Sequence, residues 1–260
     1  MSRTLLNRLR YWIAPLVLVG VILAIWQAAV RALHVPAYFL PAPTDIAEAL
    51  AANGPLLLSS AGTTLAMALA ALVFASLTAL LLALVVGLSS LVESAVTPLA
   101  VVLQVTPVVA IAPLVNIWAG LDHPERAVIG LAALVAFFPI FSGAVTGLKA
   151  TDPDLERLFK LYGASRLQTL WRLRLPSAVP YVLEGHKVAA GLAVIGAVVA
   201  EFVSGSGGVQ GLAFRLLEAA NRLQTAKMFA ALILLGLIGA AAHGLFQALE
   251  GWALRRWRGR

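Results

Sequence analysis

Charge is confined to a few places in this 260-residue chain, and the gaps between charges decide what it can be. Uncharged runs occupy 11–30, 49–92, 94–121, 127–148 and 228–249, with a shorter one at 188–200 that resumes after Glu201. An ionised side chain at a bilayer centre is costly. About 20 apolar residues, at about 1.5 Å each, span the hydrocarbon core. Each run therefore fits one crossing, except 49–92, whose 44 residues could hold two. Hydrophobic residues make up 61% of the chain and charged ones only 12%, against about 45–50% and about 25% in a soluble domain. So little charge cannot clothe a water-soluble globule, which excludes a soluble enzyme. Disorder needs the opposite composition and is excluded too. The absence of cysteine removes disulfides, thiolate metal sites and cysteine nucleophiles together.

Basic residues resolve the ambiguous run. Three clusters hold 14 of the 19: Arg3, Arg8 and Arg10; then Lys149, Arg157, Lys160, Arg166, Arg172, Arg174 and Lys187; then Arg255, Arg256, Arg258 and Arg260. The positive-inside rule places all three in the cytoplasm, and they share a side only if 49–92 crosses an odd number of times. The expectation is an all-α, multi-pass membrane protein with six transmembrane helices and both termini cytoplasmic. The net charge of +7 is then an orientation signal, with no nucleic acid implied. The first run is longer than the 7–15 residues of a signal-peptide core and no persuasive cleavage site follows, so it reads as a retained helix. Three prolines in 35–45 favour an extended path. Thr44 or Asp45 then caps a short helix, Ile46 to Ala52, lying on the membrane surface, and Asn53-Gly54-Pro55 breaks the chain before the second crossing.

One charged segment, 149–187, is built differently. Asp152 and Pro153 start a helix as cap and first residue, and Asp154 and Glu156 suit the dipole of its first turn. Leu155, Leu158, Phe159 and Tyr162 form one apolar stripe, and Gly163 ends the helix as its C′ residue. After Ala164, Ser165 and Gln168 form a capping box for a second helix. Leu167, Leu170 and Trp171 make its apolar face, and Leu175-Pro176 with Pro180 close the segment. Two amphipathic helices bent at a glycine suit either anionic lipid or a groove on another protein.

Asp152-Pro153-Asp154-Leu155, Gly163-Ala164-Ser165, Leu175-Pro176 and Pro180-Tyr181 resemble the EAA loop of ABC-importer permeases. Leu40-Pro41-Ala42-Pro43 is similar to that family's LPSP segment, and Pro107 to Leu114 to its proline-rich third helix. Ala200-Glu201-Phe202-Val203 with Gly207-Gly208-Val209-Gln210-Gly211 resembles the stretch closing helix five. The resemblance covers roughly residues 35–255. It implies a type I importer permease: one transmembrane domain, 1–260, in the bacterial inner membrane, with 149–187 as the coupling loop that docks on a cytoplasmic ATPase. It also implies an extracytoplasmic solute-binding protein, a second permease copy, and ATP with Mg used by the partner ATPase alone. One departure stands out. Where the family has Glu-Ala-Ala this chain has Arg157-Leu158-Phe159, with the acid one place earlier at Glu156.

The absences agree with a transport subunit that is not an enzyme. No G-x-x-x-x-G-K-[ST] cradle is present, and Gly205 to Gly211 lacks the phosphate-reaching lysine, reading instead as an outer turn. His34, His123, His186 and His243 are scattered, with none paired at metal-ligand spacing. Pathway candidates are the polar, proline and aromatic residues inside apolar runs: Gln104, Thr106, Pro107 and Asn116; Phe137, Phe138 and Phe141 around Pro139; and Glu201, alone in the fifth helix. Gly143-x-x-x-Gly147 permits close helix contact. Stretches such as 193–203 and 221–225 look nearest to permeases for pyrimidine precursors, with sulfonate, taurine and nitrate permeases close by. The implied solute is a pyrimidine-type heterocycle or a sulfonate- or nitrate-type anion. A self-sufficient secondary transporter or channel is the alternative; it would require ion-coupling acids or inverted repeats.

Overall fold

A computed structural model describes residues 3–120, 122–204 and 209–258, without the side chains of 3–12 and 257–258. The glycines and serine at 205–208 lie outside the described residues, as do Arg260 and the side chains of Arg3, Arg8, Arg10 and Arg258. The described residues are helical throughout, joined by short turns: α1 (Arg3–Ala32), α2 (Pro43–Leu88), α3 (Ser90–Val105), α4 (Val108–Ala119), α5 (Pro124–Lys149), α6 (Pro153–Leu161), α7 (Arg166–Thr169), a π-helical turn at Leu170–Arg174, then α8 (Leu175–Ser204), α9 (Leu212–Asn221) and α10 (Thr225–Arg258). Five stretches are long and apolar enough to cross a membrane; α3 and α4 add a sixth only as one span bent by 101°.

Three elements correct the sequence expectations. The helix predicted at Ile46–Ala52 does not stop there, because α2 continues unbroken through Asn53-Gly54-Pro55 to Leu88. A proline removes one backbone bond, here the one to the Ala51 carbonyl. Two residues on, Leu57 is fully buried, so packing outweighs local propensity. The third crossing is no single helix. Thr106 has ψ 125, the extended conformation a following proline imposes, and the chain turns there between α3 and α4. Lastly, Leu175-Pro176 does not close the 149–187 segment. The helix runs on from Arg166 to Ser204, and a wide turn in which the Leu175 amide reaches the Leu170 carbonyl carries it across Pro176, which has no N–H to donate.

The chain divides into two compact units. One comprises residues 1–58 and 215–233. Within it, Gln27 and Arg31 at the end of α1 meet the start of α2: Thr44 donates its amide to Gln27 Oε1 at 3.2 Å, and Arg31 pairs with Asp45 at 2.6 Å. Asp45 also accepts from the Ala42 amide at 3.2 Å, satisfying one exposed donor at that helix start. Trp26 packs on Phe229, and Thr225 donates to the Tyr38 carbonyl at 2.7 Å. Glu218 in α9 accepts from Arg215 and lies near Lys227 and Arg222; the Arg215 hydrogen bond leads in holding its carboxyl below the usual range, against an opposing effect of burial.

The other unit comprises 59–214 and 234–260 and holds the larger core. Its centre is α5 against α8, with α4 packed on both. Small residues make the approach possible. A Cβ on Gly143 would lie 2.6 Å from the Tyr181 carbonyl oxygen, one on Gly147 2.8 Å from Ala178 Cα, and one on Gly185 2.6 Å from the Pro139 carbonyl oxygen. The Gly143-x-x-x-Gly147 expectation of close contact is met, with Gly185 completing it from the opposite helix.

Candidate functional site

In α6 the Asp152 carboxylate accepts from the Asp154 amide at 2.8 Å and caps the helix. Pro153 is the first helical residue, where its missing N–H costs nothing. Among the described residues most of the apolar stripe is left uncovered: Leu155 and Leu158 are each 44% exposed and Tyr162 is 84% exposed, while Phe159 is half-buried. Gly163 has φ +68, the left-handed conformation that glycine adopts without a Cβ clash. After Ala164, Ser165 and Gln168 cap each other's amides at 3.2 and 2.8 Å. Leu167 and Trp171 stay exposed, but Leu170, predicted on the same face, turns into the core. Glu156 faces inward and pairs with Arg174 at 2.8 Å, and Arg174 also donates to the Gly87 carbonyl at the end of α2. The displaced acid thus braces α6 against the helix below it. Pro176 sits in the first turn of α8, directly after the π-helical turn.

The pathway candidates do not gather into one site. Gln104 and Phe138 meet in an open groove of about 390 Å³ between α3, α5 and α8, lined also by Ser142, Thr146, Tyr181 and Glu184. A smaller cavity of about 180 Å³ adjoins it and shares Gln104, Phe138 and Pro139. Phe137 meets Phe138 edge-on at 5.2 Å and stacks on Phe141 at 5.4 Å, so the three rings form one contiguous cluster, with Phe138 at the groove and Phe137 and Phe141 packed in the core. Thr106 donates to the Val102 carbonyl and Pro107 caps α4 at the bend. Asn116 accepts from Ser204 at 3.1 Å.

Glu201 is the buried acid, only 4% exposed. Its oxygens accept from the Thr64 hydroxyl at 2.7 Å and from the Ala213 and Phe214 amides at 3.0 and 3.4 Å, and Thr64 in turn accepts from the Leu212 amide at 2.8 Å. The carboxylate occupies the start of α9, where backbone donors have no helical partner and the dipole favours negative charge. A Cβ at Gly211 would sit 2.2 Å from it. Ser142, Thr146, Tyr181 and Glu184 escaped sequence reasoning because single polar residues scattered over two helices carry no periodic signal; a helical-wheel comparison of 138–146 with 181–188 would have grouped them.

Comparison with known proteins adds to this geometry. Residues 75–255 match the model of the binding-protein-dependent transport system inner membrane component family. The chain is 33% identical to a probable ABC transporter permease protein of Haemophilus influenzae over 94% of its own length and 96% of that protein's. It is 35% identical to the riboflavin transport system permease protein RibX of Chloroflexus aurantiacus, over 91% and 87% of the two chains. With the formylaminopyrimidine transport permease protein ThiX of Halalkalibacterium halodurans it shares 34% identity over 62% of each. A segmented all-helical chain, an amphipathic helix offered outward at a glycine bend, and these likenesses converge. The chain belongs to the binding-protein-dependent inner membrane components, as a permease subunit of an ABC transporter and not its ATPase.

Proposed function

We propose that this chain forms half of the translocation pathway of an ATP-driven importer of a small polar solute. A second copy completes the pathway, and both termini and the 149–187 segment face the cytoplasm. The exposed stripe Leu155, Leu158 and Tyr162 of α6, with Gly163 at its end, carries the reading. Such a stripe fits a groove on a partner, and dependence on a binding protein is part of the family's own description. In this reading the ATPase subunits bind ATP with Mg and move α6. The Glu156–Arg174–Gly87 bridge and the π-helical turn pass that movement to α2 and α8. The solute is a pyrimidine-type heterocycle or a sulfonate- or nitrate-type anion, the chemistries named in the relatives' descriptions.

The test is ATP-driven uptake in vesicles containing the chain with its ATPase and binding protein. Gly163→Val places a β-branched side chain at a positive φ, which strains the bend. It is expected to cut uptake at least tenfold while ATP hydrolysis continues and the chain still inserts. Unchanged uptake by the variant would remove the coupling role, and solute movement by the chain alone down an ion gradient would remove the importer reading.

A further inference from the structure

The two solute classes differ in charge, and the groove between α3, α5 and α8 distinguishes them. Its floor is bare backbone, because Gly143 and Gly185 bring α5 and α8 together with no side chain between. Above that floor the Gln104 amide, the Ser142 and Thr146 hydroxyls and the Tyr181 hydroxyl have no side-chain hydrogen-bond partner among the described residues. Hydroxyls in apolar helices ordinarily turn back to their own carbonyls, as Ser76, Thr78, Ser94 and Ser177 do here at 2.7–2.9 Å. Ser142 and Thr146 do not. All four are exposed in the lone chain, so their donors and acceptors are open to a ligand.

No lysine, arginine or histidine lines either cavity, and the one carboxylate is Glu184. Lys187, behind it, pairs with both Glu184 and Glu250, the latter at 3.1 Å. Two carboxylates share one ammonium, which leaves a formal charge of −1 beside the groove. A sulfonate or nitrate would meet that charge with no cation among this chain's groove-lining residues to answer it, and such juxtaposition repels. A flat heterocycle bearing amino or ring N–H groups finds acceptors in Glu184 and Gln104 and a ring in Phe138. Together the two cavities have the size of a small-ligand site.

On the importer reading above, we infer that this groove is where the pathway selects its solute, passing neutral or cationic nitrogen heterocycles and rejecting small anions, with Gln104 and Glu184 as the specificity-determining residues. The complex of this chain with its own ATPase and binding protein, in vesicles, is offered a 4-amino-2-methylpyrimidine bearing a formamidomethyl group, riboflavin, methanesulfonate and nitrate. Uptake of a heterocycle is expected, with neither anion moved. Gln104→Ala and Glu184→Gln are each expected to lower the solute moved per ATP hydrolysed at least tenfold. A purely structural fault would depress both quantities together and leave their ratio. Glu184→Gln spares the fold because Lys187 keeps Glu250, and Ser94→Ala, in α3 outside the groove, should hold the wild-type ratio. Import of methanesulfonate or nitrate in place of a heterocycle would overturn the inference while leaving the importer standing. So would heterocycle import at an unchanged ratio in both variants. ATP-dependent movement of none of the four would remove the importer reading and the inference with it.

Discussion

Thr64 carries two buried hydrogen bonds on a single hydroxyl. Its hydroxyl gives to the Glu201 carboxyl and takes from the Leu212 amide, so it stands between a buried acid and the start of a helix. Thr64→Val keeps the shape and removes both bonds, leaving the Leu212 amide unpaired and Glu201 with only its bonds from Ala213 and Phe214, at a cost of about 1–3 kcal/mol for each lost partner. The expected result is a lower unfolding midpoint in detergent, with Thr64→Ser close to wild type; equal midpoints for Val and Ser would mean the bonds contribute nothing. Glu201 was visible in the sequence as a lone acid in an apolar run. Its task was not, because the partner that completes it lies 137 residues away and nothing local marks Thr64 apart from the serines and threonines around it.

At the scale of elements, the pairing of α5 with α8 rests on missing side chains. Gly185→Ala would set a methyl 2.6 Å from the Pro139 carbonyl, and backbone cannot swing away as a side-chain tip does. Overpacking of this kind costs about 1–3 kcal/mol, and more where backbone must move. Gly185→Ala should therefore lower the unfolding midpoint and widen the Gly143–Gly185 separation measured between spin labels on α5 and α8. A Gly236→Ala control, at a glycine with nothing within 4 Å, should do neither. Helix existence was legible from charge spacing, and the capped start at Asp152, the capping box at Ser165 and the stop at Gly163 appear where their residue types place them. Continuity was less legible. Proline decided in opposite senses: Pro107 turns the chain, while Pro55 and Pro176 lie within continuous helix. Local sequence reports the lost hydrogen bond equally at all three, whereas the outcome depends on packing such as that of Leu57 and on a π-helical turn that propensities do not encode.

For the whole molecule, the surface left apolar is too extensive for water. Leu16 and Leu91 are more than 70% exposed, as lipid contact or a second copy would require. The amphipathic α6 differs in kind, because its exposed leucines alternate with Asp154, Arg157 and Lys160, and a mixed face of this sort suits a protein groove better than hydrocarbon. Leu158→Asp is expected to reduce co-purification of the ATPase at least tenfold without changing the yield of inserted chain. Full recovery of the ATPase with this variant would place the contact elsewhere. The fold class and the amphipathic segment at 152–163 were thus open to reading from composition and pattern. The groove was not, since Gln104, Ser142 and Glu184 come together only once α3, α5 and α8 are assembled.

Gly163 has one more implication. Nothing lies within 4 Å of where its Cβ would be, and its φ is +68. The position is reserved by handedness, with room to spare. An L-residue there is strained, but the mirror-image conformation is the natural one for a D-amino acid. A D-alanine introduced by chemical ligation would enter the bend without strain and, by narrowing the choices of the unfolded chain, would hold it more firmly than glycine does. The bend that ends α6 is therefore fixed at its turning point by chirality.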